Sequence, residues 1–304
     1  MPRPIVGFGH SMGGSIMLDL ALMHPRLLTS VIVIEAIAAS SQKGGSWPGV
    51  AAITKRKDSW PSKDAAMKYF RKAPIHKRWD PRVLDLLQAH SFTAPNGPSD
   101  PTVALKTSKY QEAISFARAA FPESRDSKAA MGVFDRKNHP EMVGVETDHN
   151  APLHRPEATT IYRQIASLRP SCLLIYGTHS QFSANLPWRR KEKMDNIGIG
   201  TGGSGGAPEG RVEEIDIEGS HWMPFEKPDA LGQALGEWLD AEMRRWQQEE
   251  AEHEKAWSAV PVEQRSQVSD EWLYWTDRLY GKEATARLAG ARKKGDKSSG
   301  KPKL

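Results

Sequence analysis

The chain has 304 residues, with 42 Lys and Arg against 37 Asp and Glu, 38% hydrophobic residues and one cysteine. That length allows a large domain with a sizeable core, and the lone Cys172 excludes both a disulfide framework and a cysteine-ligated zinc cluster. No run approaches the roughly 18 apolar residues of a membrane span, and the opening Met-Pro-Arg-Pro-Ile-Val-Gly-Phe-Gly is neither a secretory signal nor a transit peptide, so an intracellular, reducing compartment is expected.

The net charge of +5 is local. Residues 282–304 hold eight Lys/Arg and two Asp/Glu, a surplus of +6, which leaves about −1 for everything before them. A Gly-, Ser- and Lys-rich stretch without aromatic residues is expected to be a solvated, disordered tail. Nucleic-acid binding needs basic residues on a folded face, and no such face is visible, so no nucleic-acid partner is expected.

In chain order, residues 4–8 (PIVGF), 31–34 (VIVI), 172–176 (CLLIY) and 212–217 (VEEIDI) read as strands. The first three are nearly continuous apolar runs, as in parallel strands covered on both faces. Residues 14–23 suggest a helix with Ile16, Leu20 and Met23 on its apolar stripe, and residues 229–246 a second with Leu231, Leu235, Trp238 and Leu239. Strands alternating with helices imply an α/β fold. Between the second and third runs lie about 130 residues with Trp47, Trp60, Phe70, Trp79 and Phe92, many prolines, and helical stretches at 81–88 and 109–120. They read as a mainly helical cap rather than more sheet. The division is therefore 1–40 and 169–246 for two parts of one core, 41–168 for the cap, 247–281 for a helical extension and 282–304 for the tail. Residues 200–206 (GTGGSGG) lack the spacing and setting of a phosphate-binding loop and read as a flexible surface loop.

The chemistry concentrates at Gly9-His10-Ser11-Met12-Gly13, which follows one strand run and precedes a helical one. Gly-x-Ser-x-Gly in a strand–turn–helix setting makes Ser11 a candidate nucleophile at a strained turn, with glycine expected on both sides to avoid collisions. A helix starting behind Ser11 aims N-terminal N–H groups at the site, and Met12 N–H is the candidate oxyanion donor. A serine nucleophile needs a base and the base an orienting acid. His221 follows the fourth strand run and precedes the last core helix, the place of the base in the order Ser…acid…His. His10 is read as structural, pointing elsewhere, and His24 as a C-terminal helix cap. The loop after 172–176 holds no carboxylate before Glu192. Glu35 instead directly follows four apolar residues at a strand end, where a carboxylate is costly unless paired, and on the sheet edge that carries Ser11. It is the candidate acid, with Asp216 and Glu226 as alternatives. No cofactor or metal is called for.

Gly-Phe-Gly-His-Ser-Met-Gly-Gly resembles the elbow of α/β-hydrolases with lipase, esterase or lactonase activity. The placement of Glu35 resembles the haloalkane dehalogenase arrangement, although those enzymes carry aspartate where this chain has Ser11. Residues 103–113, 194–211 and the His-Trp-Met-Pro-Phe-Glu-Lys run from His221 resemble a fungal α/β-hydrolase group that includes toxin-biosynthesis hydrolases and peroxisomal lipase-like proteins. That resemblance implies a serine hydrolase acting on a small-molecule ester, lactone or acyl thioester. It also implies a peroxisomal location through an import receptor reading the terminal Pro302-Lys303-Leu304, which keeps Lys-Leu of the Ser-Lys-Leu signal; a cytoplasmic location is the alternative. In such folds the elbow follows the fifth of eight strands, whereas ten residues precede Ser11 here. The reading therefore expects a partial α/β-hydrolase fold lacking the first four strands and the loop with the second oxyanion donor, an exposed edge at residues 4–8, and either a truncated hydrolase or a non-catalytic remnant that binds or scaffolds.

Overall fold

The computed structural model describes residues 3–38, 49–119, 137, 140, 153–181 and 187–281. Trp47, the tail 282–304 and the terminal tripeptide lie outside the described residues. These residues fall into two compact units, Met1–Arg244 and Arg245–Leu304.

The first unit opens with β1 (Val6–His10), α1 (Met12–Met23) and β2 (Ser30–Ile34). An insertion follows with α2 (Gly49–Lys55), β3 (Ser59–Trp60), α3 (Lys63–Lys72), α4 (Pro81–His90), β4 (Phe92–Thr93), β5 (Val103–Leu105), α5 (Lys109–Phe116) and β6 (Arg118–Ala119). The chain continues through β7 (Leu153–His154), α6 (Glu157–Gln164), β8 (Ser171–Gly177), α7 (Pro187–Asn196), β9 (Val212–Ile217), α8 (Met223–Glu226) and α9 (Pro228–Ser258). In the second unit lies α10 (Asp270–Tyr280), which exposes Trp272, Leu273, Trp275, Leu279 and Tyr280.

The four strands anticipated from the sequence form one parallel sheet in the order β1-β2-β8-β9. β2 and β8 are buried at every position because the sheet is covered on both faces. Val31, Val33, Cys172 and Leu174 face Leu18, Ala21, Ile161 and Ile165 on one side. Ile32, Ile34, Leu173 and Ile175 face Leu231 and Trp238 on the other, with Leu235 and Leu239 packed alongside. Fully burying one such side chain stabilises the fold by about 1.5–3 kcal/mol. Among the described residues β1 is an edge strand, and Phe8 is 48% exposed.

Three expectations change. In α1 the buried positions are Gly14, Ser15, Leu18 and Ala21, while Ile16 and Met23 point outward. The sequence Met-Gly-Gly-Ser-Ile-Met-Leu-Asp-Leu-Ala-Leu-Met is apolar around most of its circumference, so the tight turn at Ser11 sets its rotation. The insertion is mainly helical but also carries a small antiparallel sheet, β3-β5-β4, around the buried Trp60 and Phe70. The glycine loop at 198–206 is tightly built: the N–H groups of Gly198, Gly200, Ser204 and Gly205 are bonded within the loop or to residues 165–168. A Cβ on Gly203 would sit 2.2 Å from the Gly198 oxygen. Those four amides are consumed internally and are not offered to an anion.

Candidate active site

Ser11 sits between β1 and α1 with φ 55° and ψ −118°. A serine held at positive φ stores on the order of 1–3 kcal/mol and persists only where its surroundings fix it. Here Ser11 N–H donates to the Ile34 carbonyl at 2.8 Å, and the Ser11 carbonyl accepts from Gly14 and Ser15 N–H at 3.1 and 3.3 Å. The turn is crowded at Gly9, where a Cβ would lie 2.3 Å from the Gly13 oxygen, and at Gly14, where it would lie 2.9 Å from Ala36 Cβ. Gly13, by contrast, has nothing within 4 Å of such a Cβ. The steric demand for glycine thus falls on only one of the two motif glycines, because Gly13 already stands on the open side of the helix.

Glu35 follows β2 with φ 52°, its N–H donating to Ile175 O at 2.9 Å. The residue is 3% exposed. Oε1 accepts from Gly177 N–H at 2.7 Å, and Oε2 accepts from Ser180 Oγ at 2.7 Å and lies 3.5 Å from His221 Nδ1. Burial pushes the carboxyl up, but hydrogen bonds from His221, Gly177 and Ser180 outweigh burial and hold it below the ordinary glutamate value.

His221 lies in the loop after β9, 8% exposed, with Nε2 3.1 Å from Ser11 Oγ. This loop can descend beside Glu35 because β8 ends in Gly177, where a Cβ would lie 2.6 Å from the Ser220 oxygen. Glu226 fastens the loop, accepting from Ser220 N–H and Ser220 Oγ, both at 2.8 Å, and pairing with Arg78 Nε of the insertion at 3.1 Å. The neighbouring Phe225 stacks on Trp79 at 4.6 Å, and its carbonyl accepts from Asp80 N–H at 2.8 Å.

Ser11, His221 and Glu35 therefore converge, with Met12 N–H at the first turn of α1 beside them. The two alternative acids have other partners: Asp216 pairs with Arg190 at 2.9 Å, and Glu226 with Ser220 and Arg78. His24 occupies the C-cap of α1 as expected. His10 does not point away. Its Nε2–H donates to the His221 carbonyl at 2.8 Å, and its ring packs against the His221 ring. Burial, then the adjacent His221, lower His10 to about 4, so it is a neutral donor. The sequence reading also missed Ser180, Gly177 N–H and Arg155, whose Nη1 lies 2.9 Å from Met12 Sδ. The hydroxyl and backbone donors carry no signature in sequence; the absence of a carboxylate after β8 was the one hint that this loop serves an acid supplied elsewhere. Among the described residues no His, Cys, Asp and Glu cluster could hold a metal.

No family model matches the chain. It is 35% identical over 276 residues to a type I acyl-CoA thioesterase of Penicillium roqueforti, covering 83% of this chain and 62% of that protein. It is 24% identical over 279 residues to an abhydrolase domain-containing protein of Alternaria alternata, covering 90% of this chain and 97% of that protein. The chain thus spans about three fifths of the length of the thioesterase it matches. Among solved structures, the peroxisomal α/β-hydrolase Lpx1 from Saccharomyces cerevisiae superposes with a TM-score of 0.54 at 15% identity, over 99% of this chain and 65% of that one. The topology is thus that of the α/β-hydrolase fold, and the sequence is similar to fungal acyl-CoA thioesterase and abhydrolase domain-containing proteins.

Proposed function

We propose that this protein hydrolyses a carboxylic ester, lactone or acyl thioester through a covalent acyl-enzyme on Ser11. One observation carries the reading: Ser11 Oγ lies 3.1 Å from His221 Nε2, while His221 Nδ1 lies 3.5 Å from the buried Glu35 carboxylate. With Nδ1–H turned to Glu35, Nε2 accepts the Ser11 proton as Oγ attacks the acyl carbon. The negative charge developing on the carbonyl oxygen falls at the N-terminus of α1, where Met12 N–H donates to it. Imidazolium returns the proton to the departing alkoxide or thiolate, leaving the acyl-enzyme. Water then attacks, gives its proton to His221, and the acid departs as Ser11 is reprotonated. Glu35 stays ionised throughout, because its hydrogen bonds hold its carboxyl low.

The name of the Penicillium relative supports an acyl thioester as the substrate class. The test is labelling of Ser11 by a fluorophosphonate probe, followed by release of free thiol from acyl-CoA substrates. Labelling lost in Ser11→Ala, with turnover lost in parallel, is the expected result. A folded protein that never labels would instead be a non-catalytic binding or scaffold protein. For location we infer the peroxisome, from the terminal Lys303-Leu304 and the name of the yeast structural relative. Fluorescent protein extended by residues 293–304 should collect in peroxisomes, and diffuse signal indifferent to loss of Leu304 would show that the terminal tripeptide carries no import signal.

A further inference from the structure

A small cavity of about 50 Å³ borders Glu35, and neither Ser11 nor His221 lines it. Lys193 of α7 reaches into it with the whole residue 6% exposed. Its Nζ donates to the Ala36 carbonyl at 3.3 Å and lies 5.0 Å from the Tyr176 ring centroid. Burying an ammonium is costly unless its charge and hydrogen bonds are used. What this one holds is the turn that carries Glu35.

That turn is strained at φ 52° and is fixed on both sides of the peptide Lys193 grips. Before it, Glu35 N–H donates to Ile175 O at 2.9 Å. After it, Ser15 Oγ donates to Ile37 O at 2.8 Å and accepts from Ile37 N–H at 3.2 Å. Ser15 belongs to the helix behind Ser11, so nucleophile and acid share one brace, and Lys193 closes its remaining side. We propose that Lys193 is a positioning residue for Glu35: its ammonium pins the Ala36 carbonyl and balances the carboxylate, keeping Glu35 aimed at His221.

The groups facing Lys193 are Glu35 after β2, Cys172 and Tyr176 of β8, Glu214 of β9, and Arg189 and Arg190 of α7. Arg190 is tied to Glu214 and Asp216. Burial lowers Lys193 to about 8, against the pull of Glu35, Glu214 and Cys172 and with a further lowering from Arg189. Burial pushes both Cys172 and Tyr176 up, so they stay neutral in this range. The ammonium is therefore present below about pH 8 and lost above it, and the aim of Glu35 slackens as pH rises.

This inference rests on the Ser11–His221–Glu35 reading and is tested on the full chain by the rate of fluorophosphonate labelling of Ser11 between pH 6 and 10. The wild-type rate should fall above about pH 8. Lys193→Met should label up to about a hundredfold more slowly at pH 7, the scale of a group misplaced by an ångström, and show no such fall. Lys193→Arg keeps its charge at every pH tested and should label within a few-fold of wild type at pH 7 while losing the alkaline fall. A Lys193→Met protein with the wild-type rate and profile would overturn the role. So would persistence of the alkaline fall in Lys193→Arg, which decides the matter if the methionine variant does not fold. Wild type that never labels defeats the reading of Ser11 itself, whereas normal wild-type labelling with unchanged variants defeats only Lys193.

Discussion

His10 and His221 are joined by a hydrogen bond from a side chain to a main chain: His10 Nε2–H donates to the His221 carbonyl at 2.8 Å, with the rings 4.8 Å apart. His10, next to Ser11 in the chain, thus holds the peptide of His221. His10 stays neutral in the fold down to about pH 4, against 6.5 for an ordinary histidine, chiefly through burial and then the neighbouring His221. The unfolded chain takes up the proton first as pH falls, so the stabilisation is complete above pH 6.5 and is lost through about 4, up to roughly 3 kcal/mol. Urea midpoints should show the advantage of wild type over His10→Gln shrinking across that window. A constant difference from pH 7 to 4 would contradict it.

The two motif glycines should respond in opposite ways to alanine. Gly9→Ala drives a Cβ to 2.3 Å from the Gly13 oxygen, and overpacking of this kind costs about 1–3 kcal/mol. Gly13→Ala enters open space within a helix and should add about 0.5–1 kcal/mol of stability. Thermal unfolding of both variants checks the contrast; equal destabilisation would show that the turn is not crowded as described.

Glu35→Gln should lower kcat by about 10³–10⁴-fold, the scale for losing the partner that orients a catalytic imidazole. The variant keeps an acceptor for Gly177 N–H, so stability near neutral pH should change far less than turnover. Because the wild-type carboxyl is held below its ordinary value of 4.5, its stabilisation is present above that value and is lost as pH falls through the lower folded one. The glutamine variant should lack this acid sensitivity. Acid unfolding curves of the two proteins, run beside initial rates, measure both effects.

Arg78 and Glu226 form one ion pair with unequal stakes. The Arg78 side chain is 58% exposed and that of Glu226 only 4%. Arg78→Ala should cost under about 1 kcal/mol, as exposed pairs do. Glu226→Ala leaves Ser220 N–H without its acceptor and should cost about 1–3 kcal/mol, together with most of the turnover, since Ser220 precedes His221, the base on the proposed function. Equal costs in chemical denaturation would argue against this account.

The parts of this fold that could be read from sequence were those with a single physical cause. β2 and β8 are covered on both faces, so every residue reports the burial, and the strands stand out as Val-Ile-Val-Ile and Cys-Leu-Leu-Ile-Tyr. Glu35 was legible because a carboxylate at the end of such a strand demands a partner, and the structure puts His221 Nδ1 3.5 Å from it. The face of α1 was not legible, since apolar side chains surround it and a turn outside the helix sets its rotation. Ser180 and Gly177 were hidden for a different reason: a hydroxyl and a backbone N–H become donors to Glu35 only when two distant segments meet.

The attachment of Trp79, Asp80 and Arg78 to Phe225 and Glu226 bears on how such a protein can change what it accepts. The segment that would select an acyl group is bolted to the stretch that holds the proton acceptor, through a stacked ring pair, a main-chain bond and an ion pair. Recombination that imports residues 49–119 from another hydrolase would break all three at once unless residues 220–229 travelled with them. On the proposed function, selectivity and proton transfer would in this sense be inherited together, and diversification would proceed by small substitutions within the insertion more readily than by its wholesale exchange.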